Sequence, residues 1–195
     1  MPPPQNPCTS STNMSKQSVR RERSEPSRGF PPISRHDARV LILGSLPGRA
    51  SLHAREYYAH PRNAFWMIMQ EIAGAAGSYA SRCRSLQERR IAVWDVLSRS
   101  VRPGSLDADI DMKSAVPNDF EGFFAGHRDI RLVVFNGRKA QQMFTRYVQL
   151  SQCNGDVTFG LLPSTSPAHA SLTPAEKLET WRGIIEPELR RGTEQ

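Results

Sequence analysis

The sequence predicts an α/β fold, a three-layer α/β/α sandwich around a central four-stranded parallel sheet. Three observations predict it. Four short apolar runs recur, each closed by a turn signal: Arg39–Leu43, Ile91–Trp94, Leu132–Phe135 and Thr158–Leu162. Helical apolar patterns lie between them. The runs are apolar throughout instead of alternating, as strands covered on both faces of a parallel sheet must be.

In chain order, the first strand ends in Gly44-Ser45-Leu46-Pro47-Gly48. This turn can expose backbone N–H groups as a cradle for an anion or a base edge, or serve as an ordinary strand-to-loop turn. It has neither the Gly-Lys-Ser/Thr of a phosphate loop nor dinucleotide spacing. Next comes Tyr57-Tyr58-Ala59-His60-Pro61-Arg62-Asn63-Ala64-Phe65-Trp66, leading into a helix with Phe65, Met69, Ile72 and Ala76 on one face. Asn63 falls at the N-terminal end of that helix, as a cap or as an amide that orients a water toward a developing positive charge. Phe65 and Trp66 fit the buried face. Tyr57 and Tyr58 fit the core less well, and a loop tyrosine can stack on a nucleobase for roughly 1 to 3 kcal/mol. His60 has no partner at metal-ligand spacing and reads as a structural hydrogen bonder.

Asp95 closes the second strand and Asn136-Gly137 the third, where Asn136 can read a base edge. A helix follows with Ala140, Met143, Phe144, Tyr147 and Val148 on one side. The fourth strand runs into Pro163–Ser171, stiffened by two prolines. Its small hydroxyl residues suit close contact with phosphates, and His169 at the tip can enter a groove. The last helix starts at a capping box, Thr173 with Glu176, has Pro174 at its first position, and continues through Leu178, Trp181 and Ile185. In open α/β sheets ligands bind outside the carboxyl ends of the strands. Gly44–Ser51, Asp95, Asn136-Gly137 and Pro163–Ser171 all fall there, so one cleft is expected to collect them.

A chain of 195 residues fits one domain. The formal charge is +7, but residues 1–35 hold six Lys/Arg against two Glu, so the remainder is only mildly basic. Residues 1–35, rich in Pro and Ser, read as a disordered basic tail that can add non-specific phosphate attraction, with the folded domain over 36–190. Cys8, Cys83 and Cys153 form no Cys-x-x-Cys and make no disulfide, zinc or iron–sulfur framework. A reducing, intracellular protein with no membrane contact is expected. The Ser/Arg-rich start leaves an organellar transit role open, with Glu22 and Glu25 weighing against it.

On these motifs, together with Trp94-Asp95-Val96-Leu97, Gly104-Ser105-Leu106-Asp107, Asn118-Asp119-Phe120, Phe135-Asn136-Gly137 and Leu162-Pro163-Ser164-Thr165-Ser166-Pro167, the chain resembles the uracil-DNA glycosylase superfamily. It is most similar to family 6, the DNA-deoxyinosine (hypoxanthine-DNA) glycosylases. The resemblance implies a monofunctional enzyme, acting as a monomer on DNA that contains deaminated bases, in cytoplasm and nucleoid or in a nucleus. It flips the base out, hydrolyses its N-glycosidic bond and leaves an abasic site, without cofactor or metal. Hypoxanthine ranks first, uracil and xanthine next. Asn63 corresponds to the asparagine credited with catalysis, and Tyr58 to the aromatic that stacks on the base. Gly44, Ser45, Leu46, Pro47 and Gly48 border the base. Ser164, Thr165, Ser166, Pro167, His169 and Ser171 belong to the segment that pinches phosphates and fills the vacated stack. Two positions depart. Leu162 stands where uracil-specific members carry a catalytic His, and His169 where many family 6 members have Asn. Two other readings compete: a non-catalytic module binding damaged or single-stranded DNA, and an esterase using Ser45 with His169. Such esterases carry an Asp three residues before the His, where this chain has Ser166.

Overall fold

The computed structural model describes residues 26–102, 109–149 and 156–191, so Cys8, Cys153 and the Gly104–Asp107 element lie outside the described residues. The elements run β1 (Ser27–Arg28), β2 (Val40–Gly44), α1 (Arg49–Ala54), α2 (Phe65–Ala73), α3 (Tyr79–Glu88), β3 (Ile91–Asp95), β4 (Leu97–Ser100), β5 (Val116–Pro117), α4 (Phe120–Gly126), β6 (Leu132–Asn136), α5 (Arg138–Tyr147), β7 (Thr158–Leu162) and α6 (Pro174–Arg191). β3, β2, β6 and β7 lie side by side in that order, all parallel. These are the four expected strands, within a residue at each end.

Alternate side chains of the sheet feed two cores. Val40, Ile42, Ile91, Val93, Leu132 and Val134 pack with Phe65 and Met69 of α2, Leu86 of α3, and Trp181 and Ile185 of α6. Leu41, Leu43, Ala92, Trp94, Val133 and Phe135 pack with Phe120, Phe123 and Phe124 of α4 and Ala140, Met143 and Phe144 of α5. Coverage on both faces holds for β3, β2 and β6. β7, at one edge of the sheet, departs from it, with Phe159 and Leu161 37% and 40% exposed. The alternation carries through to the strand ends. Gly44 pairs in register with Asp95, and Asn136 with Leu162, placing all four in one row on the α2 and α6 side.

Three expectations change. α2 stops at Gly74, left-handed at φ 67° with its N–H on Gln70 O at 2.9 Å, so Ala76 lies beyond the helix and is exposed. A second sheet, β1-β4-β5, is antiparallel and follows directly on β3. Residues 26–35, expected in the tail, belong to the fold. Gly29 N–H donates to Ser98 O at 2.8 Å, and Ile33 exchanges two backbone hydrogen bonds with Val93 at 2.9 and 2.8 Å. The carbonyl of Phe30 accepts from Tyr57 Oη at 3.2 Å and from Trp94 Nε1 at 3.1 Å. Backbone hydrogen bonding fixes this arm, and that leaves no mark in apolar periodicity. The capping box forms as expected: Thr173 N–H reaches Glu176 Oε2 at 2.7 Å and Glu176 N–H reaches Thr173 Oγ1 at 3.3 Å.

Candidate active site

The carboxyl ends of β2, β3 and β6 open into a cleft of about 730 Å³, in the size range of small-ligand pockets. Gly44–Ser51, Asp95, Asn136, Gly137 and Ser164–His169 line it, joined by Tyr58 and Asn63. The strand ends therefore converge as their order in the sequence implied. Ser171 lies outside the lining, exposed, with its Oγ 3.2 Å from His169 Nε2.

Four successive carbonyls of the loop after β2 are held from one side. Gly44 O accepts from Val96 N–H at 2.9 Å and Ser45 O from Leu97 N–H at 3.1 Å. Leu46 O accepts from Arg102 Nη1 at 3.3 Å, and Pro47 O from Arg102 Nη2. Every peptide bond described is trans, and a trans peptide points its N–H opposite to its carbonyl. The N–H groups of Ser45, Leu46 and Gly48 therefore face away from β4 and Arg102. Arg102 is buried and also lines the cleft. It was not among the residues singled out from the sequence.

Gly44 is glycine because of close approach. A β-carbon there would run into Asp95 Oδ1 and sit 3.0 Å from Tyr58 Oη. A buried carboxylate and a phenol thus meet over it, and Asn118 Nδ2 fixes the Asp95 backbone through its carbonyl at 2.8 Å. Tyr58 is left-handed at φ 54°, uncommon for a residue with a side chain, and its ring stacks on Phe65 at 3.9 Å between centroids. Tyr58 is half-buried and Tyr57 buried in the core, and both border the cleft. Tyr57 is 3% exposed, takes Trp66 Nε1 on its carbonyl at 2.8 Å, and has its phenol pKa raised by burial, with the charge of Asp95 adding to the shift. Tyr57 is a core residue, against expectation.

Asn63 caps the helix, one of the two roles foreseen for it, and does so from within the cleft. Its Oδ1 accepts from Phe65 N–H at 3.0 Å, capping the start of α2 from one residue ahead of the formal cap, Ala64. The same half-buried amide lines the cleft. His60 makes the local hydrogen bond expected of it, Nδ1 accepting from Arg62 N–H at 3.1 Å.

Thr165 is the junction of the site. Its N–H donates to Asn136 Oδ1 and its Oγ1 accepts from Asn136 Nδ2, both at 2.8 Å, while its carbonyl accepts from Ala64 N–H at 3.0 Å. The end of β6, the start of α2 and the Ser164–Ser171 loop are locked together there. Both ends of the Asn136 amide take part in this clamp, which gives it a positioning task; the residue also lines the cleft, with its second N–H and second lone pair outside the clamp. Gly137, left-handed at φ 96°, lets the loop close in, since a β-carbon would lie 2.9 Å from Ser164 Cβ. Trp181 Nε1 holds Pro163 O at 3.0 Å. Lys177, its pKa lowered by desolvation, holds His169 O at 2.7 Å. His169 itself is exposed at the tip. Around the mouth stand Arg49, Arg62, Arg138 and Lys139. Among the described residues no group of three His, Cys, Asp or Glu gathers as metal ligands, and no helix is long and apolar enough to cross a membrane.

The sequence profile of the "Uracil DNA glycosylase superfamily" matches residues 31–190. The chain belongs to the uracil DNA glycosylase superfamily. A hypoxanthine DNA glycosylase of Methanosarcina acetivorans is 34% identical over 161 residues, covering 81% of this chain and 97% of that protein. One from Methanosarcina barkeri is 34% identical over 148 residues, 74% of this chain and 90% of its own length. A solution NMR structure from Methanosarcina acetivorans bearing the uracil DNA glycosylase name superposes with a TM-score of 0.70 at 29% identity, covering 84% of this chain and 99% of that one. In this superfamily member Leu162 is 1% exposed and packs in the core, so its position offers the cleft no polar group.

Proposed function

We propose that this superfamily member is a monofunctional DNA glycosylase that flips a deaminated base out of DNA and hydrolyses its N-glycosidic bond, hypoxanthine being the first candidate. The observation that carries the reading is that one cleft is lined both by an anchored asparagine amide and by a loop whose successive carbonyls are bonded by Val96, Leu97 and Arg102. Deamination of adenine or cytosine turns a ring nitrogen from hydrogen-bond acceptor into N–H donor. Asp95, an acceptor at the cleft floor when ionised, suits that product.

Bond cleavage builds positive charge on the sugar and negative charge on the base. Asn63 acts on the first. With its oxygen pinned by Phe65 N–H, the second lone pair accepts from a water aimed at C1′, and the amide oxygen faces the oxocarbenium-like sugar. The N–H groups of Ser45, Leu46 and Gly48 act on the second. Tyr58, backed on one face by Phe65, offers its other face to the base. The clamped Ser164–His169 loop and the cations at the mouth engage phosphates. Extruding the base costs unstacking energy, least where the base is mispaired.

The test is single-turnover excision from duplexes carrying one deoxyinosine or one deoxyuridine, wild type beside Asn63→Ala. Hypoxanthine release that falls by about two orders of magnitude or more in Asn63→Ala supports the reading. DNA binding without release of either base by the wild type refutes it and makes the cleft a binding site for damaged DNA.

A further inference from the structure

Resting on the glycosylase reading, we infer that Arg102 is the positioning residue for stabilisation of the departing base. The inner half of the loop after β2 is anchored by the backbone of Val96 and Leu97. The outer half is held through one side chain, the buried guanidinium of Arg102 on Leu46 O and Pro47 O. Pro47 has no N–H, so the outermost donor of the loop is Gly48 N–H, in the same peptide unit as the carbonyl that Arg102 grips. A carbonyl accepting from a cation makes the N–H of its own unit more positive and fixes its direction. Arg102 therefore aims and strengthens that donor, and contributes its charge at short range in a site of low dielectric. The chemistry needs such a group. The C1′–N bond breaks heterolytically, its electron pair stays on the base, and a water adds to C1′ while releasing a proton to solvent. With Leu162 at the end of β7, no imidazole at that position meets the base anion.

A role on the leaving group has a signature that a structural staple lacks: the loss shrinks when the base leaves more readily. Single-turnover rates are compared for deoxyinosine, deoxyuridine and 5-fluorodeoxyuridine, whose base is the more acidic leaving group of the two pyrimidines. Arg102→Met is expected to slow hypoxanthine release about 100-fold. It slows uracil release by clearly more than 5-fluorouracil release, with binding to a duplex carrying an abasic-site analogue unchanged within about twofold. Arg102→Lys keeps the charge but not the two-pronged grip, and is expected to fall between wild type and Arg102→Met with the same ordering of the pyrimidines. Should Arg102→Met not fold, Arg102→Lys carries the comparison. Equal losses on the two pyrimidines, or no loss on deoxyinosine, would overturn the inference while leaving the glycosylase reading intact. A wild type that releases no base refutes that reading first.

Discussion

Replacing Asn136 with Ala removes the clamp between the end of β6 and the Ser164–Ser171 loop. Both hydrogen bonds are 2.8 Å long, and Thr165 is 1% exposed. The variant leaves the Thr165 N–H buried without an acceptor, a cost of about 1 to 3 kcal/mol, and deletes the amide–hydroxyl bond, about 1 kcal/mol. The sum is roughly 2 to 4 kcal/mol, which in a domain of this size lowers the unfolding temperature by roughly 5 to 15 °C. Activity falls as well, because Thr165 O is bonded to Ala64 N–H, next to Asn63. Thr165→Val separates the two bonds. It deletes the hydroxyl alone, keeps the N–H bond that sets the loop, and is expected to cost less than half as much while retaining most of the excision rate. Thermal unfolding and single-turnover assays on the three proteins decide the matter. An Asn136→Ala protein within about 0.5 kcal/mol of wild type, or a Thr165→Val protein equally damaged, refutes the clamp.

Gly44→Ala places a methyl against Asp95 Oδ1 and Tyr58 Oη, so it is expected to reduce base excision by an order of magnitude or more with a smaller effect on DNA affinity. Unchanged turnover would show that the convergence over Gly44 is dispensable. A chain beginning at residue 36 loses Phe30 O and Ile33 O, the acceptors for Trp94 Nε1 and Val93 N–H. It is expected to unfold at a markedly lower temperature than one beginning at residue 26, and equal midpoints would remove the arm from the fold. The Glu176 carboxyl is held below its ordinary value of 4.5 by hydrogen bonds from Thr173 N–H and then Thr173 Oγ1. Its contribution is thus present above about pH 4.5 and fades as pH falls through the lowered value. The difference in unfolding temperature between wild type and Glu176→Gln should narrow from pH 7 to pH 3, and a constant difference contradicts the linkage.

The central sheet was legible because apolar runs and turn residues are local signals, and the cleft was legible because the ends of those runs fix where loops gather. Thr173 with Glu176 was legible for the same reason, as both partners lie within one turn. What escaped depends on partners distant in sequence. Asn136 looks like any polar residue at a strand end until Thr165, 29 residues on, takes both halves of its amide. Arg102 stands alone in sequence, and only the fold brings it to Leu46 and Pro47. Ser27–Arg28 and Val116–Pro117 are too short for any period, and β4 follows β3 with no turn residue between them. Tyr57 and Tyr58 are identical neighbours, yet the first is buried in the core and the second, with a left-handed backbone, is half-buried.

The row of anchored carbonyls from Gly44 to Pro47 bears on how this cleft tolerates change. Donors that belong to peptide units are untouched by most point mutations: replacing Ser45 or Leu46 alters a side chain and leaves its N–H and C=O where they were. Only a proline at 45, 46 or 48, an insertion, or loss of an anchor removes them. Side chains of the loop can therefore drift, reshaping the cleft wall, while the peptide donors proposed to receive the departing charge are retained. Fit to a particular lesion is open to single substitutions at 45 and 46, whereas the loop's backbone donors yield only to changes that reach Gly44, the Arg102 anchor or the peptide chain itself.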